Sequence, residues 1–319
     1  MQITTDGSVR RLDLGPARAL APALWAEWDG LRFASSGEAV DPLTGGSRTQ
    51  VRLVAGHHRQ PGASYVVTLP PPPPPAGAPR RRRRRDPVPE PTELHIGLHR
   101  DDGREVSVTI TDPAGHWSAD VVVRRERLPR VEVTARADLP AIQRDQDRSG
   151  CAAGLLGSGA RLHATVDGDT LDRGGDLLAI SMRTSRFRLR AQAAVAARGP
   201  RWEGHGHLTL RGRGLGRVVL TVGRARLRRA LDEEARSWWA GADQWAAERE
   251  AELARLATDV ADAGGPEPFV RRAVWDPTFR PPSVAGWVGP QPATRTSREA
   301  TTAATKRSRT AGGTRSRER

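Results

Sequence analysis

Asparagine is absent from this chain of 319 residues, lysine occurs once, at Lys306, and cysteine once, at Cys151. A single cysteine excludes an intramolecular disulfide. Its surroundings, "RSGCAAGLLGSGA", read as a small-residue loop or a buried inert thiol rather than a nucleophile. No apolar run approaches the roughly 18 residues that a membrane-crossing helix needs, so a helical span is excluded. The first fifteen residues, "MQITTDGSVRRLDLG", lack the basic-then-apolar order of a secretory signal, which predicts a cytoplasmic location. Missing asparagine and near-missing lysine are what GC-rich codons impose, and they predict a bacterial source.

What is abundant is arginine. Lysine plus arginine number 51 against 37 acidic residues, a formal net charge of +14. Such an excess favours acidic partners such as nucleic acid or another anionic polymer, although codon bias alone also raises arginine. The hydrophobic fraction is 37%. The shortfall from an ordinary globular chain is concentrated in a proline-arginine stretch and after about residue 281, so a folded core with appendages is expected.

Along the chain, "GSVRRLDLG" suits a short strand running to Leu14, and Leu20, Leu24 and Trp28 then mark one face of a short helix over 17–28. "TQVRLVAGHH" and "ASYVVTL" suit two strands. A first series of strands begins after residue 92, "ELHIGL", "EVSVTIT", "SADVVVR" and "RVEVTAR", punctuated by "RDDG" and "DPAG" in the manner of an antiparallel meander. A glycine-rich gap precedes a second series, "RLHATV", "DLLAISMR", "RFRLRAQAAVAAR" and "RWEGHGHLTLRG".

Leu227, Leu231, Ala235, Trp238, Ala242, Trp245, Leu253, Leu256 and Val260 then recur at helical spacing. They predict a long amphipathic helix over 224–263, ended by Gly264-Gly265-Pro266, with Leu227, Leu231, Trp238, Trp245, Leu253 and Leu256 facing the core. Glu233, Glu234, Arg236, Glu248, Arg249 and Glu252 would form its solvent face. Trp275 and Trp287 suit a docking segment. The residues from Gln291 to the C-terminus have almost nothing to bury, so disorder is expected there.

The fold class is therefore α+β: an antiparallel β-rich body with a long C-terminal amphipathic helix, plus a disordered Pro/Arg linker and a basic tail. Its parts are a strand and helix segment (1–69), the linker or exposed loop (70–92), the meander (93–149), a glycine-rich connection (150–160), the second series with its closing helix (161–263), a docking segment (264–290) and the tail (291–319).

Chemical signatures are sparse. Glu203, His205 and His207 alternate in "RWEGHGHLTL", so on a strand all three share one face, nearer to metal-ligand spacing than His57-His58, His95 and His99, or His116. A further ligand is not assignable, and no metal or other cofactor is predicted. "LLGSGA" around Ser158 lacks the outer glycines of a nucleophile elbow, and "RGRGLGRVVL" lacks phosphate-loop spacing. No catalytic constellation emerges.

From Arg186 to about Leu256, strands ending in "HLTLRGRGLGRVVLTVGRARLRRAL" and a long closing helix resemble the C-terminal half of the SRPBCC/START-like helix-grip superfamily. The resemblance implies a curved antiparallel sheet gripping the helix around an apolar cavity for a lipid or other small molecule. It carries over no functional residue, and the N-terminal half departs from it by its extra strands.

The most biased stretch is "LPPPPPPAGAPRRRRRRDPVPEP". Six prolines from Pro70 extend about 19 Å as polyproline II. Arg80, Arg81, Arg82, Arg83, Arg84 and Arg85 then repel one another and stay solvated. A spacer is the first reading. The leading functional expectation is a non-catalytic binding or scaffold protein holding an apolar small molecule or lipid. The alternative is an accessory protein that grips nucleic acid or another polyanion through the arginine block and through Lys306, Arg307 and Arg309.

Overall fold

The computed structural model describes residues 1–69, 92–141, 158–276 and 279. Thirteen strands run through the described residues: β1 (Gln2–Arg10), β2 (Arg32–Phe33), β3 (Glu38–Val40), β4 (Ser47–Ala55), β5 (Ser64–Leu69), β6 (Thr92–Asp101), β7 (Glu105–Thr111), β8 (Trp117–Arg124), β9 (Arg130–Ala137), β10 (Ala160–Asp167), β11 (Gly175–Thr184), β12 (Phe187–Arg198) and β13 (Arg201–Gly212). The helices are α1 (Gly15–Gly30), α2 (Thr170–Arg173), α3 (Leu215–Asp262) and α4 (Pro266–Trp275). The fold is α+β with a β-rich body and a long C-terminal helix.

All thirteen strands belong to one sheet, in the order β1-β13-β12-β11-β10-β9-β8-β7-β6-β5-β4-β3-β2. Neighbours from β2 to β13 keep chain order, so the body is a single antiparallel meander and the two strand series are continuous through the β9–β10 pairing. Leu69 pairs with Thr92, so the Pro/Arg segment connects two adjacent strands of one hairpin rather than two domains. Residues 70–91, and with them Arg80 to Arg85, lie outside the described residues, as do Cys151, Trp287 and the tail.

Chain geometry requires the sheet to curl. Laid flat, twelve inter-strand steps of about 4.8 Å would separate β1 from β2 by about 58 Å. Yet the only connection between these edges is α1 with a few flanking residues, and its sixteen residues rise only about 24 Å. Strand alternation then divides the two faces. One carries Ile3, Leu208, Ala191, Ile180, Val133, Val121, Val108, Ile96 and Tyr65, and the helices pack on it. The other carries arginine, histidine, serine and threonine.

Three clusters fill the apolar side. Tyr65, Leu98, Val106 and Ala63 pack under Trp25, Trp28 and Phe33. Leu12, Leu14, Trp202, Ala246 and Leu253 join β1 and β13 to the C-terminal half of α3, with Trp245 and Leu256 packed alongside. Phe269 and Val270 of α4 close on Ala23 of α1, and Trp275 donates its indole N–H to Glu27. Trp275 thus docks within a helix.

Several elements differ from the sequence expectation. β1 stops at Arg10 rather than Leu14. Leu12 and Leu14 instead enter the core ahead of α1, whose first turn accommodates Pro16. α3 begins at Leu215, nine residues early: β13 is already flanked by β12 and β1, so "RVVLTV" cannot turn back and pair with it as a further strand. Arg249, expected in water, is 7% exposed, with Glu252 as partner. The reason is helical phase: the buried set Ala242, Ala246, Arg249, Leu253 places position 249 on the core face. Trp238 is correspondingly displaced and 37% exposed, while Trp239 turns toward the sheet.

Candidate functional site

Between α3 and the edge of the sheet lies an apolar cleft of about 410 Å³. Its floor is set by strand register. Thr5, Gly206 and Ala193 form one row across β1, β13 and β12, Ile3, Leu208 and Ala191 the next, and Gly7, Gly204 and Val195 the row on the other side. Alanine at 191 and 193 leaves space that larger side chains would fill, while the glycine positions are taken up by Trp239 and Thr5. Leu177, displaced where β11 shifts register between Asp176 and Leu178, adds to the wall. Leu231, Ala235, Trp238 and Trp239 of α3 form the roof.

Trp239 fixes the height of that roof. Its indole lies over the paired glycines Gly7 and Gly204, so close that a Cβ on Gly7 would come within 2.0 Å of the ring and one on Gly204 within 2.4 Å. Its N–H donates to Thr5 Oγ1 at 2.7 Å. Trp238 stands edge-on to it, ring centroids 4.6 Å apart and planes at 86°. Further along, Arg201 donates to both oxygens of Asp243 at 3.0 and 2.9 Å, and the Arg10 backbone N–H donates to the same carboxylate at 2.9 Å. The Arg201 hydrogen bond, with that from Arg10, holds the Asp243 carboxyl below its ordinary pKa. The helix is thereby pinned just beyond the cleft and spaced from the sheet within it.

A polar cluster occupies the opposite part of the fold. The Asp101 side chain is fully buried and accepts from Trp28 Nε1, Arg59 Nε and Arg125, each at 3.0 Å. Arg125 also clamps Asp29 at 2.8 and 2.9 Å and lies over the Trp25 ring. Burial by itself would raise the Asp101 pKa. The hydrogen bonds from Trp28, Arg59 and the Gly103 N–H, with the charge of Arg125, overcome it and hold the carboxyl below its ordinary value. His58 Nε2 faces the Trp28 carbonyl at 2.9 Å, so this nitrogen carries the proton, and Nδ1 accepts from the Tyr65 hydroxyl at 3.0 Å. Burial lowers the His58 pKa, favouring this neutral form. Apart from the buried Arg125 Nε, the polar side chains here are engaged by one another, and the cluster locks α1 to β6 and to the β8–β9 turn.

Of the residues singled out in the sequence, Leu231 and Trp238 meet in the roof of the cleft, whereas Glu203, His205 and His207 assemble no metal site among the described residues. Glu203 pairs with Arg198 at 3.0 Å, His205 with Asp6, and His207 lies on the same polar face in register with Gln192. Among the described residues no group of three or more His, Cys, Asp or Glu side chains converges as a metal site. Leu253 is buried, and Leu227 and Leu231 are half-buried. Arg80 to Arg85, Lys306, Arg307 and Arg309 lie outside the described residues. No helix among the described residues is long and apolar enough to cross a membrane.

In comparisons with known proteins, the chain matches no family model, no curated protein and no solved structure.

The cleft floor is present in the sequence at the alternate parity. In "WEGHGHL", Glu203, His205 and His207 occupy one face, while Gly204, Gly206 and Leu208 occupy the other and bound the cleft. Two glycines two apart in a strand signal close approach by other groups, here Trp239 at Gly204 and the Thr5 side chain at Gly206.

Proposed function

We propose that this protein is a non-catalytic binder of an apolar small molecule or lipid chain, held between α3 and the β1, β13 and β12 edge of the sheet. The observation that carries this reading is the composition of the cleft. Two tryptophans and Leu231 face a floor of glycine, alanine, valine, isoleucine and leucine, and among the described residues Glu234 is the only acidic or arginine side chain at its rim. A volume near 410 Å³ falls within the range of small-ligand pockets. With so few polar groups, recognition rests on shape and exclusion of water rather than on directed hydrogen bonds. A sheet gripping a long C-terminal helix around an apolar space is also what the helix-grip resemblance implies. The departure is the number of strands. Among the described residues no nucleophile, base and orienting group meet in the cleft, which favours binding over catalysis.

The test uses N-phenyl-1-naphthylamine, a neutral fluorophore that brightens in apolar surroundings. Saturable binding to the full chain is expected, with quenching of tryptophan emission. Ala193→Phe, which fills the floor, should weaken binding at least about tenfold, or 1.4 kcal/mol, while thermal unfolding remains cooperative. Equal affinity of the wild type and Ala193→Phe, or absence of binding by the wild type, would remove the proposal.

A further inference from the structure

The strand register on the face turned away from the helices brings five arginines into one row. Arg136 of β9 lies opposite Arg161 of β10, Arg161 opposite Arg183 of β11, Arg183 opposite Arg188 of β12, and Arg188 opposite Arg211 of β13. At about 4.8 Å per strand the row is about 19 Å long. Like charges directly opposite on neighbouring strands destabilise a sheet, and here the clash is repeated four times in succession.

Codon bias does not account for this placement. Of the other arginines on this face, Arg124 pairs with Glu105, Arg130 with Asp167 and Arg198 with Glu203, while Arg190 beside the row and Arg52 on β4 have no carboxylate partner among the described residues. Among the described residues none of the five ladder arginines has one. The unpaired charge is thus concentrated at the ladder and the adjacent Arg190. It is also contoured, because the row joins two surface troughs of about 490 and 720 Å³. Arg190 and Arg213 add to their linings, in which, among the described residues, Asp138 is the sole carboxylate.

We propose that this ladder binds the phosphate backbone of a nucleic-acid duplex. A duplex carries a phosphate charge per about 1.7 Å of axis, so a 19 Å row meets a polyanion dense enough to engage every guanidinium. Arginine forks match phosphate oxygens in paired hydrogen bonds, and Ser181, Gln192 and Thr209 beside the row supply further polar contacts. Among the described residues no Trp, Tyr or Phe lines the trough around Arg188, Arg190 and Arg211, and the other trough has only Trp117, at the start of β8. One aromatic is too few for the series of stacked bases that holds single strands, or for the aromatic and aliphatic face that enters a bilayer interface. Contact through the backbone alone carries no base readout. The ladder is separate from the apolar cleft, so either reading can fail without the other.

The experiment tracks the anisotropy of a labelled 20-base-pair DNA duplex of mixed sequence, titrated with the full chain between about 50 and 200 mM salt. Two triple variants are compared: Arg161, Arg183 and Arg188→Ser in the ladder, and Arg224, Arg226 and Arg229→Ser on α3. Both remove the same charge. The ladder variant should flatten the slope of log affinity against log salt by about 2.7, from roughly 0.9 per phosphate contact, and the helix variant by less than one unit. Relief of cross-strand repulsion should raise the ladder variant's Tm, whereas the duplex should raise the Tm of the wild type more than that of the variant. Equal losses from both triples would reduce the effect to net charge and overturn the proposal. So would binding to vesicles rich in anionic lipid without binding to duplex, or no duplex binding at 50 mM salt.

Discussion

The helices meet the two ends of the sheet in different ways. Under α1 the space is filled: Tyr65 is 2% and Leu98 1% exposed, Trp25, Trp28 and Phe33 cover them, and the Asp101 cluster ties the helix down. Under the middle of α3 it is not. The strands there present Ala191 and Ala193, and Trp239, seated on Gly7 and Gly204 with its N–H on Thr5, props the helix over a cleft. Protein interiors pack at crystal-like density, and unfilled volume costs stability. One sheet therefore contains a region built for cohesion and another that gives up cohesion for space. Changes at the first should unfold the protein, and changes at the second should chiefly alter binding.

The largest expected effect is at Asp101. Asp101→Ala removes the acceptor shared by Trp28, Arg59 and Arg125, and Arg125, whose side chain is only 8% exposed, keeps just Asp29. Breaking a buried ion pair from one side costs about 3–5 kcal/mol. Urea denaturation should show a loss of that size. A loss below about 1 kcal/mol would mean that α1 is held by its apolar contacts alone and would erase the contrast between the two ends.

Periodicity makes the strands from β4 onward, and the long helix, legible, because alternation over five to twelve residues separates the two faces. Turn chemistry such as Asp112-Pro113-Ala114-Gly115 marks their ends; Gly115 has φ 71° and its N–H returns to the Asp112 carbonyl. What stays hidden depends on register between distant segments. Nothing local shows that β1 pairs with β13, more than 190 residues away, which puts Gly7 against Gly204 and makes room for Trp239. The Asp101 cluster draws on α1, β6 and two loops, each unremarkable alone. Asp101 and Asp102 both sit in the turn-like "RDDG", a context in which solvated carboxylates are the default, and only Asp102 behaves so, accepting from the Arg104 and Glu105 N–H groups. The phase of α3 departs from the sequence pattern by one residue over part of its length, enough to exchange Trp238 for Trp239 and to leave buried Arg249 in the expected solvent stripe.

A smaller effect, confined to the α1 end, should appear with pH. The folded-state pKa of His58 lies below its ordinary value of 6.5, through burial first and the adjacent Arg59 charge next, opposed by the Trp28 carbonyl and by Asp101 and Asp29. Below pH 6.5 the unfolded chain takes up a proton that the folded chain resists. Stability from this group is thus complete above 6.5 and declines as the pH falls toward the folded value. The Asp101 contribution has the same sign but a lower window, being lost only as pH drops below 3.8. Urea midpoints at pH 7.5 and 5.5 should differ more for the wild type than for His58→Phe. An identical pH dependence in both would show that the imidazole is not held neutral.

The smallest effect is expected where α3 runs past the sheet. At 1.5 Å per residue its 48 residues extend about 72 Å, whereas the twelve residues of β13 extend about 40 Å. A helix so much longer than its support must leave turns uncovered: Gly216 is packed against Arg186 and Phe187, but on the other side of these turns Val222 is 85% exposed, and Leu215 and Val218 are exposed with it. These residues keep the helix continuous but bury little area, so Val222→Lys should change stability by no more than about 0.5 kcal/mol, as for other surface substitutions. It should also leave fluorophore binding unchanged, since the cleft begins only at Leu231, more than two turns further along. Denaturation and sedimentation of the two proteins side by side would check this. A clear loss of stability together with a fall in mass would show instead that the overhanging turns are covered by a second copy, and the loosely packed end of the sheet would then be completed by assembly rather than by a ligand.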